Sequence, residues 1–261
     1  MFIDTHCHLD FPDFNFDRDC VIKRAKDAGV DYIINVGATI ESSKNSCLLS
    51  ENYDFIYASV GIHPHDSDNV SSFDLATLKE LAKNNKVKAI GEIGLDYYRN
   101  LSKPDNQKKI FCDSILIAKE LNLPIIVHSR SSASPRGEQA ADDILNIVKK
   151  YLPIPAVIHC FSDDENYLKE YLNLGFFISF TANITYKNAF QLRRLVKIVP
   201  LDKIFIETDA PYLTPQIYRG KAKNEPTYVR FVAEEIAKIK NEPLEKIAMI
   251  TSANAKEFFK L

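Results

Sequence analysis

The chain has 261 residues, 46% of them hydrophobic and 26% charged, and its 33 basic and 35 acidic residues leave a net charge of −2. That balance argues against a tight, non-specific nucleic-acid binder but leaves room for an enzyme with a locally basic site. No apolar run is long enough to span a bilayer, and the N-terminus shows neither a basic n-region nor an apolar h-region, so a cytoplasmic protein with no membrane association is expected.

In chain order, short apolar runs with β-branched or aromatic content occur at Phe2-Ile3, Tyr32 to Val36, Phe55 to Val60, Val87 to Ile93, Pro124 to Val127, Ala156 to Ile158, Phe176 to Phe180 and Ile204 to Ile206. Between them lie stretches with helical apolar spacing, such as Ala25 to the Gly29 break, Leu75 to Leu81, Ile110 to Leu121, Ile144 to Tyr151, and Tyr167 to Leu174 closed by Gly175. No repeat, low-complexity tract or flexible linker divides the chain, so residues 1–261 read as one domain. Strands alternating with helices imply parallel pairing through crossovers, and this length matches a single α/β domain of the (β/α)8 TIM-barrel type. A doubly wound open sheet is the alternative, because periodicity does not show whether a sheet closes. The five cysteines, Cys7, Cys20, Cys47, Cys112 and Cys160, are scattered and without a Cys-x-x-Cys pair, which reads as reduced thiols.

In such barrels the chemistry sits at the C-terminal ends of the strands. All six histidines of the chain fall there and none falls in a predicted helix. Asp4-Thr5-His6-Cys7-His8 ends the first run, and strand alternation turns His6 and His8 to one side with Asp4 beneath them, a layer deeper and suited to orienting ligands. The third run ends in Gly61-Ile62-His63-Pro64-His65, the fourth in Gly91-Glu92-Ile93-Gly94-Leu95-Asp96, the fifth in His128-Ser129-Arg130, the sixth in His159-Cys160 and the eighth in Glu207-Thr208-Asp209. Taken singly, a strand-end histidine is a packing residue as readily as a ligand, and Asp209 before Ala-Pro is a turn former as readily as a base. Convergence of all of them on one barrel mouth favours function.

His6, His8, Glu92, His128, His159 and Asp209 are therefore the candidate metal ligands. Four imidazoles and two carboxylates exceed the needs of one four-coordinate ion but suit two divalent ions that share a carboxylate, with Glu92 as the bridge. Zinc, magnesium or manganese would serve, since imidazole favours zinc-like ions and carboxylates accept all three. Such a pair activates water for hydrolysis, and Asp209 is also the candidate general base. Glu207 competes with Asp209 as a ligand, but Asp209 lies at the very end of the strand. Cys7 and Cys160 have the opposite facing and read as packing residues. His63, His65, Tyr98 and Arg130 on the same rim, with the Tyr218-to-Lys223 loop, combine cations and aromatics suited to phosphates and bases.

The motifs DTHCHLD, GIHPHD, IGEIGLDYY, PIIVHSR, IHCFS and IETDAPYL, with the terminal NEPTYVRFVAEEIA and SANAKEFF segments, resemble in that order those of the TatD family of metal-dependent deoxyribonucleases. The resemblance spans essentially the whole chain. It implies a (β/α)8 barrel, a divalent-metal site, and hydrolysis of DNA phosphodiester bonds as a 3′-to-5′ exonuclease on single-stranded DNA. It assigns the metal ligands to the same six residues, and makes His63 a substrate-phosphate residue or one that orients a ligand. Two departures bear on substrate choice: Asp163 stands where the family usually has glycine, and the Arg219 to Pro226 loop is one residue longer than usual. The competing expectations are a barrel hydrolase of a small amide, ester or lactone, and a binding protein that kept the barrel without turnover. No obligate protein partner is evident.

Overall fold

The β-branched runs form eight strands: β1 (Phe2–Cys7), β2 (Val30–Val36), β3 (Ile56–Val60), β4 (Val87–Asp96), β5 (Ile125–Arg130), β6 (Ala156–Ile158), β7 (Phe177–Phe180) and β8 (Ile204–Ile206). In the computed structural model, which describes residues 1–132 and 139–261, they pair in parallel in the order β1 to β8. Nine helices connect or cover them among the described residues: α1 (Arg18–Asp27), α2 (Ile40–Asn52), α3 (Ser72–Leu81), α4 (Pro104–Leu121), α5 (Ala140–Val148), α6 (Glu165–Asn173), α7 (Phe190–Ile198), α8 (Val229–Lys240) and α9 (Leu244–Phe259).

The ring closes between β1 and β8 at the end that carries the histidines. Asp209 N donates to His6 O at 2.8 Å, His8 N donates to Ala210 O at 2.8 Å, and Cys7 bridges Ala210 in parallel. The architecture is thus a nearly closed TIM barrel with helices outside, and the open-sheet alternative falls. Closure at this point joins the strand ends that hold His6, His8 and Asp209.

Two apolar clusters fill the domain. The larger lies between the sheet and its helices. The smaller joins Ile3, Ile34, Ala89, Ile126, Val157 and Phe205 with Ala255, Phe258 and Phe259 of α9. Strands far apart around the ring share it, so it is the barrel interior, sealed from below by α9. Asn254 Nδ2 fixes α9 there by donating to Leu201 O and Ile204 O. The floor is apolar and aromatic, and the histidines and carboxylates are left to the upper mouth.

The strand pleat is interrupted in β1 between Asp4 and Cys7 and in β4 between Ile90 and Ile93. His6 and Glu92 sit inside these irregularities, which re-aim side chains as bulges beside active sites do. Close backbone approach accompanies them: a Cβ on Gly61 would lie 2.5 Å from the Gly91 carbonyl carbon, and one on Gly94, at φ +143°, would lie 2.1 Å from His128 O. Only glycine lets β3, β4 and β5 come together beneath Glu92 and His128.

Candidate metal centre and active site

The six nominated ligands converge. Glu92 comes from the middle of β4 and lies 3% exposed at the centre of the mouth. Its two oxygens face different histidines. Oε2 is 3.4 Å from His6 Nε2 and 3.8 Å from His8 Nε2, whereas Oε1 is 2.6 Å from His128 Nδ1, 3.6 Å from His159 Nε2 and 3.6 Å from His63 Nε2. Asp209 completes the first group, with Oδ1 3.5 Å from His8 Nε2 and 3.9 Å from His6 Nε2. Asp209 holds φ at +56°, a left-handed conformation that Asp adopts more readily than most residues. Pro211 and the Tyr212 N–H, which donates to Asp209 O at 2.8 Å, continue the turn.

The imidazoles are held from outside. His8 Nδ1 lies 2.8 Å from Val36 O, which fixes the proton there and turns the Nε2 lone pair inward. The Phe11 ring stacks on the same imidazole at 4.5 Å. His128 has Glu92 on one nitrogen and Asp96 Oδ2 at 3.3 Å from the other. His159 stacks on His6 with centroids 3.6 Å apart. Glu207 Oε1 stands 2.8 Å from His159 Nδ1, yet out of line for a hydrogen bond, which that nitrogen lacks. An acceptor behind a ring whose other nitrogen faces inward is the arrangement of metal-ligating histidines. His6 Nε2 and His8 Nε2 lie 3.2 Å apart, within hydrogen-bond distance, and His6, His8 and Asp209 group as a possible metal-holding set. The donor set thus fits divalent cations.

The electrostatics agree. Burial disfavours the charge on Glu92 and Asp209, but the surrounding imidazoles hold both carboxyls below their usual range. Burial likewise opposes imidazolium at His159 and His128, yet Glu207 and Glu92 lift His159 to about 10, and Asp96 and Glu92 lift His128 to about 9. Carboxylates kept ionised in a buried mouth favour cations: the His128 and His159 imidazoliums supply them without metal, and a divalent ion would displace those protons.

The other nominated residues stand around this centre. His63 caps a 3-10 turn, Pro64–Asn69, that contains His65, so His65 is not at a strand end. His63 Nδ1 accepts from His65 N at 3.2 Å, which leaves its proton on Nε2, toward Glu92. Burial pushes the His63 imidazole down to about 3, so it is neutral. His65 Nε2 is 2.8 Å from Asp96 Oδ2. Tyr98, 51% exposed, carries the Arg130 guanidinium 4.1 Å over its ring. One of the three cations of the basic loop is structural: Lys223 donates to Asp17 Oδ1 at 2.9 Å and covers the Phe14 ring.

Expectations for Asp4 and Cys160 change. Asp4 does not touch an imidazole; its oxygens accept from Thr208 N at 2.9 Å, Thr208 Oγ1 at 2.6 Å and His6 N at 3.3 Å, so it braces the backbone of β1 against the turn carrying Asp209. Glu207 faces His159 and accepts from Cys160 N at 2.7 Å; it also groups with His6 and His159 as a possible metal-holding set, beside the set of His6, His8 and Asp209. Cys160 does not keep the facing of an extended strand, because its φ is +46°, and its thiol lies within 4.8 Å of ligand atoms on His159 and Asp209. Asp96 was missed, although it sits four residues beyond Glu92 on the same strand as a second terminal carboxylate. Buried Gln107 pins it by accepting from Asp96 N at 2.8 Å.

Comparison with known proteins agrees with this geometry. Residues 3–260 match the TatD related DNase family. The chain is 41% identical over 263 residues to the uncharacterized metal-dependent hydrolase YabD of Bacillus subtilis, covering 100% of both. It is 34% identical to the 3′-5′ ssDNA/RNA exonuclease TatD of Erwinia tasmaniensis, covering 99% of each. The crystal structure of YjjV, a TatD homologue from Escherichia coli, superposes with a TM-score of 0.91 at 32% identity, covering 100% of this chain and 98% of that one. The chain belongs to the TatD related DNase family and is a metal-dependent hydrolase.

Proposed function

We propose that the chain is a deoxyribonuclease that hydrolyses phosphodiester bonds of single-stranded DNA from the 3′ end, using two divalent ions, zinc, magnesium or manganese. The observation that carries this reading is the division of labour at Glu92: Oε2 faces His6 and His8, and Oε1 faces His128 and His159. In this reading His6, His8 and Asp209 would hold one ion and His128 and His159 the other, with one oxygen of Glu92 available to each. When bound, such ions lower the pKa of water and neutralise charge on a phosphoryl oxygen.

The protein's own groups do the rest. Asp209, kept ionised beside His8, orients the attacking water and takes its proton. His63 donates from Nε2 to a phosphate oxygen without adding charge. Arg130 on Tyr98, with His65 beside them on the rim, grips the strand through phosphate contacts and stacking. The substrate assignment is supported by relatives named as 3′-5′ ssDNA/RNA exonucleases.

The test is digestion of a 5′-labelled single strand with each metal, which should yield a ladder shortened from the 3′ end. If single- and double-stranded DNA both survive every metal while a cyclic amide or lactone is opened, the small-substrate alternative replaces this reading.

A further inference from the structure

On the β6 to β8 side of the barrel, reaching Cys160 through Asn183, opens a cavity of about 570 Å³, within the usual range for small-molecule sites. Leu192 and Leu195 give it an apolar wall, and Asp163, Asn183, Tyr186 and Arg219 give it polar and aromatic edges. The Arg219 guanidinium lies 4.2 Å from the centre of the Tyr186 ring, a stacked pair of the kind on which bases are received. Asn183 donates from Nδ2 to Cys160 Sγ at 3.8 Å, while its Oδ1 is buried without any hydrogen-bond partner. Asn183 lines the cavity, and its unpartnered oxygen lies just beneath the surface, where a small side-chain rotation would turn it to a ligand's donor.

The cavity is continuous in chemistry with the centre. Cys160 follows His159 in the chain, and its thiol lies within 4.8 Å of ligand atoms on both His159 and Asp209.

We propose that this cavity receives the base of the terminal nucleotide, stacked on the Tyr186–Arg219 pair and hydrogen-bonded by the Asn183 amide, while the nucleotide's phosphate meets the metal centre. The assignment rests on the nuclease reading for its place in catalysis. A flat heterocycle suits the site better than an acyl chain, because its edges are polar and carry the stacked Tyr186–Arg219 pair. It suits the site better than a bare anion, because Asp163 opposes Arg219.

Binding separates the cavity from the nuclease reading. Deoxyadenosine 5′-monophosphate and deoxyribose 5-phosphate are titrated into the purified full-length protein by calorimetry. The base should tighten binding about tenfold, the low end of base stacking. Ala189→Phe, which fills the cavity, and Asn183→Ala, which removes the amide, should each erase most of that preference, with melting temperatures checking the fold. In parallel, wild type should prefer a strand with an intact 3′-terminal base over one with an abasic terminus, and Ala189→Phe should bring that kcat/KM ratio towards one. Equal binding of the two phosphates by wild type, or a preference that survives both substitutions, overturns the proposal. Survival of all DNA substrates with the binding preference intact overturns the nuclease reading and leaves the base pocket standing.

Discussion

Asp96 Oδ2 lies 3.3 Å from His128 Nε2, across the ring from Glu92, and 2.8 Å from His65 Nε2. One buried carboxylate therefore orients a candidate ligand and a rim histidine together. Its other oxygen accepts from Tyr98 N and Arg99 N, which ties the loop carrying Tyr98 to the same point. Asp96→Asn keeps an acceptor for those backbone bonds but loses the charge behind His128. Metal affinity at the His128 group should fall about 10- to 100-fold, as when such supporting groups are removed elsewhere. Titration of the metal-free chain measures it, and wild-type affinity would strip Asp96 of its positioning role.

Glu92→Gln tests the bridge. If one carboxylate serves both groups, the substitution should lower the content of both ions together, whereas His128→Ala should remove one and leave the His6/His8 ion largely in place. Atomic emission on protein purified and dialysed in parallel gives ions per chain. Loss of a single ion from Glu92→Gln contradicts bridging.

The barrel and the mouth were legible in the sequence because β-branched runs and histidines recur at strand ends, and each strand end is one short word. What was not legible follows from physics that single words do not carry. Helix α2 escapes apolar periodicity because four of its six buried residues are Ser42, Ser43, Ser46 and Ser50, beside Cys47 and Leu49, and small polar residues let the helix approach the sheet. The Cys160 facing failed because the alternation rule ends where φ turns positive. Asp96 and Glu207 gained their roles only when their strands were brought beside His128 and His159, a fact of tertiary structure. Glu92 was selected by its position along the strand, although the pleat that should orient it is broken between Ile90 and Ile93.

Asp163 carries a pH signature. Burial raises its carboxyl from 3.8 to about 6, against the bond donated by Ser129 Oγ. The folded chain then holds a proton that the unfolded chain has released between those values, so stability falls as pH rises from about 4 to about 6. Above that range the full penalty persists. Asp163→Asn removes it, so the variant should melt roughly 2–5 °C above wild type at pH 7.5 and with no advantage at pH 4. An equal gain at both pH values would mean that charge is not its cause.

Asp209→Asn separates proton transfer from assembly of the site. Asparagine tolerates the left-handed backbone that Asp209 adopts at φ +56°, and the Asp209 N–H bond to His6 O that closes the barrel is untouched. The amide oxygen still faces His8 and His6, so most of the metal should stay bound and the melting temperature should stay close to wild type. What is lost is the group able to take a proton from water. General-base contributions of this kind are worth about 10²- to 10⁴-fold, so kcat on a single-stranded oligonucleotide should fall by that factor with KM little changed. The rate loss should also persist at saturating metal, because it does not arise from an empty site. A kcat near wild type would move the base elsewhere in the mouth, and a loss recovered by excess metal would reduce Asp209 to a ligand alone.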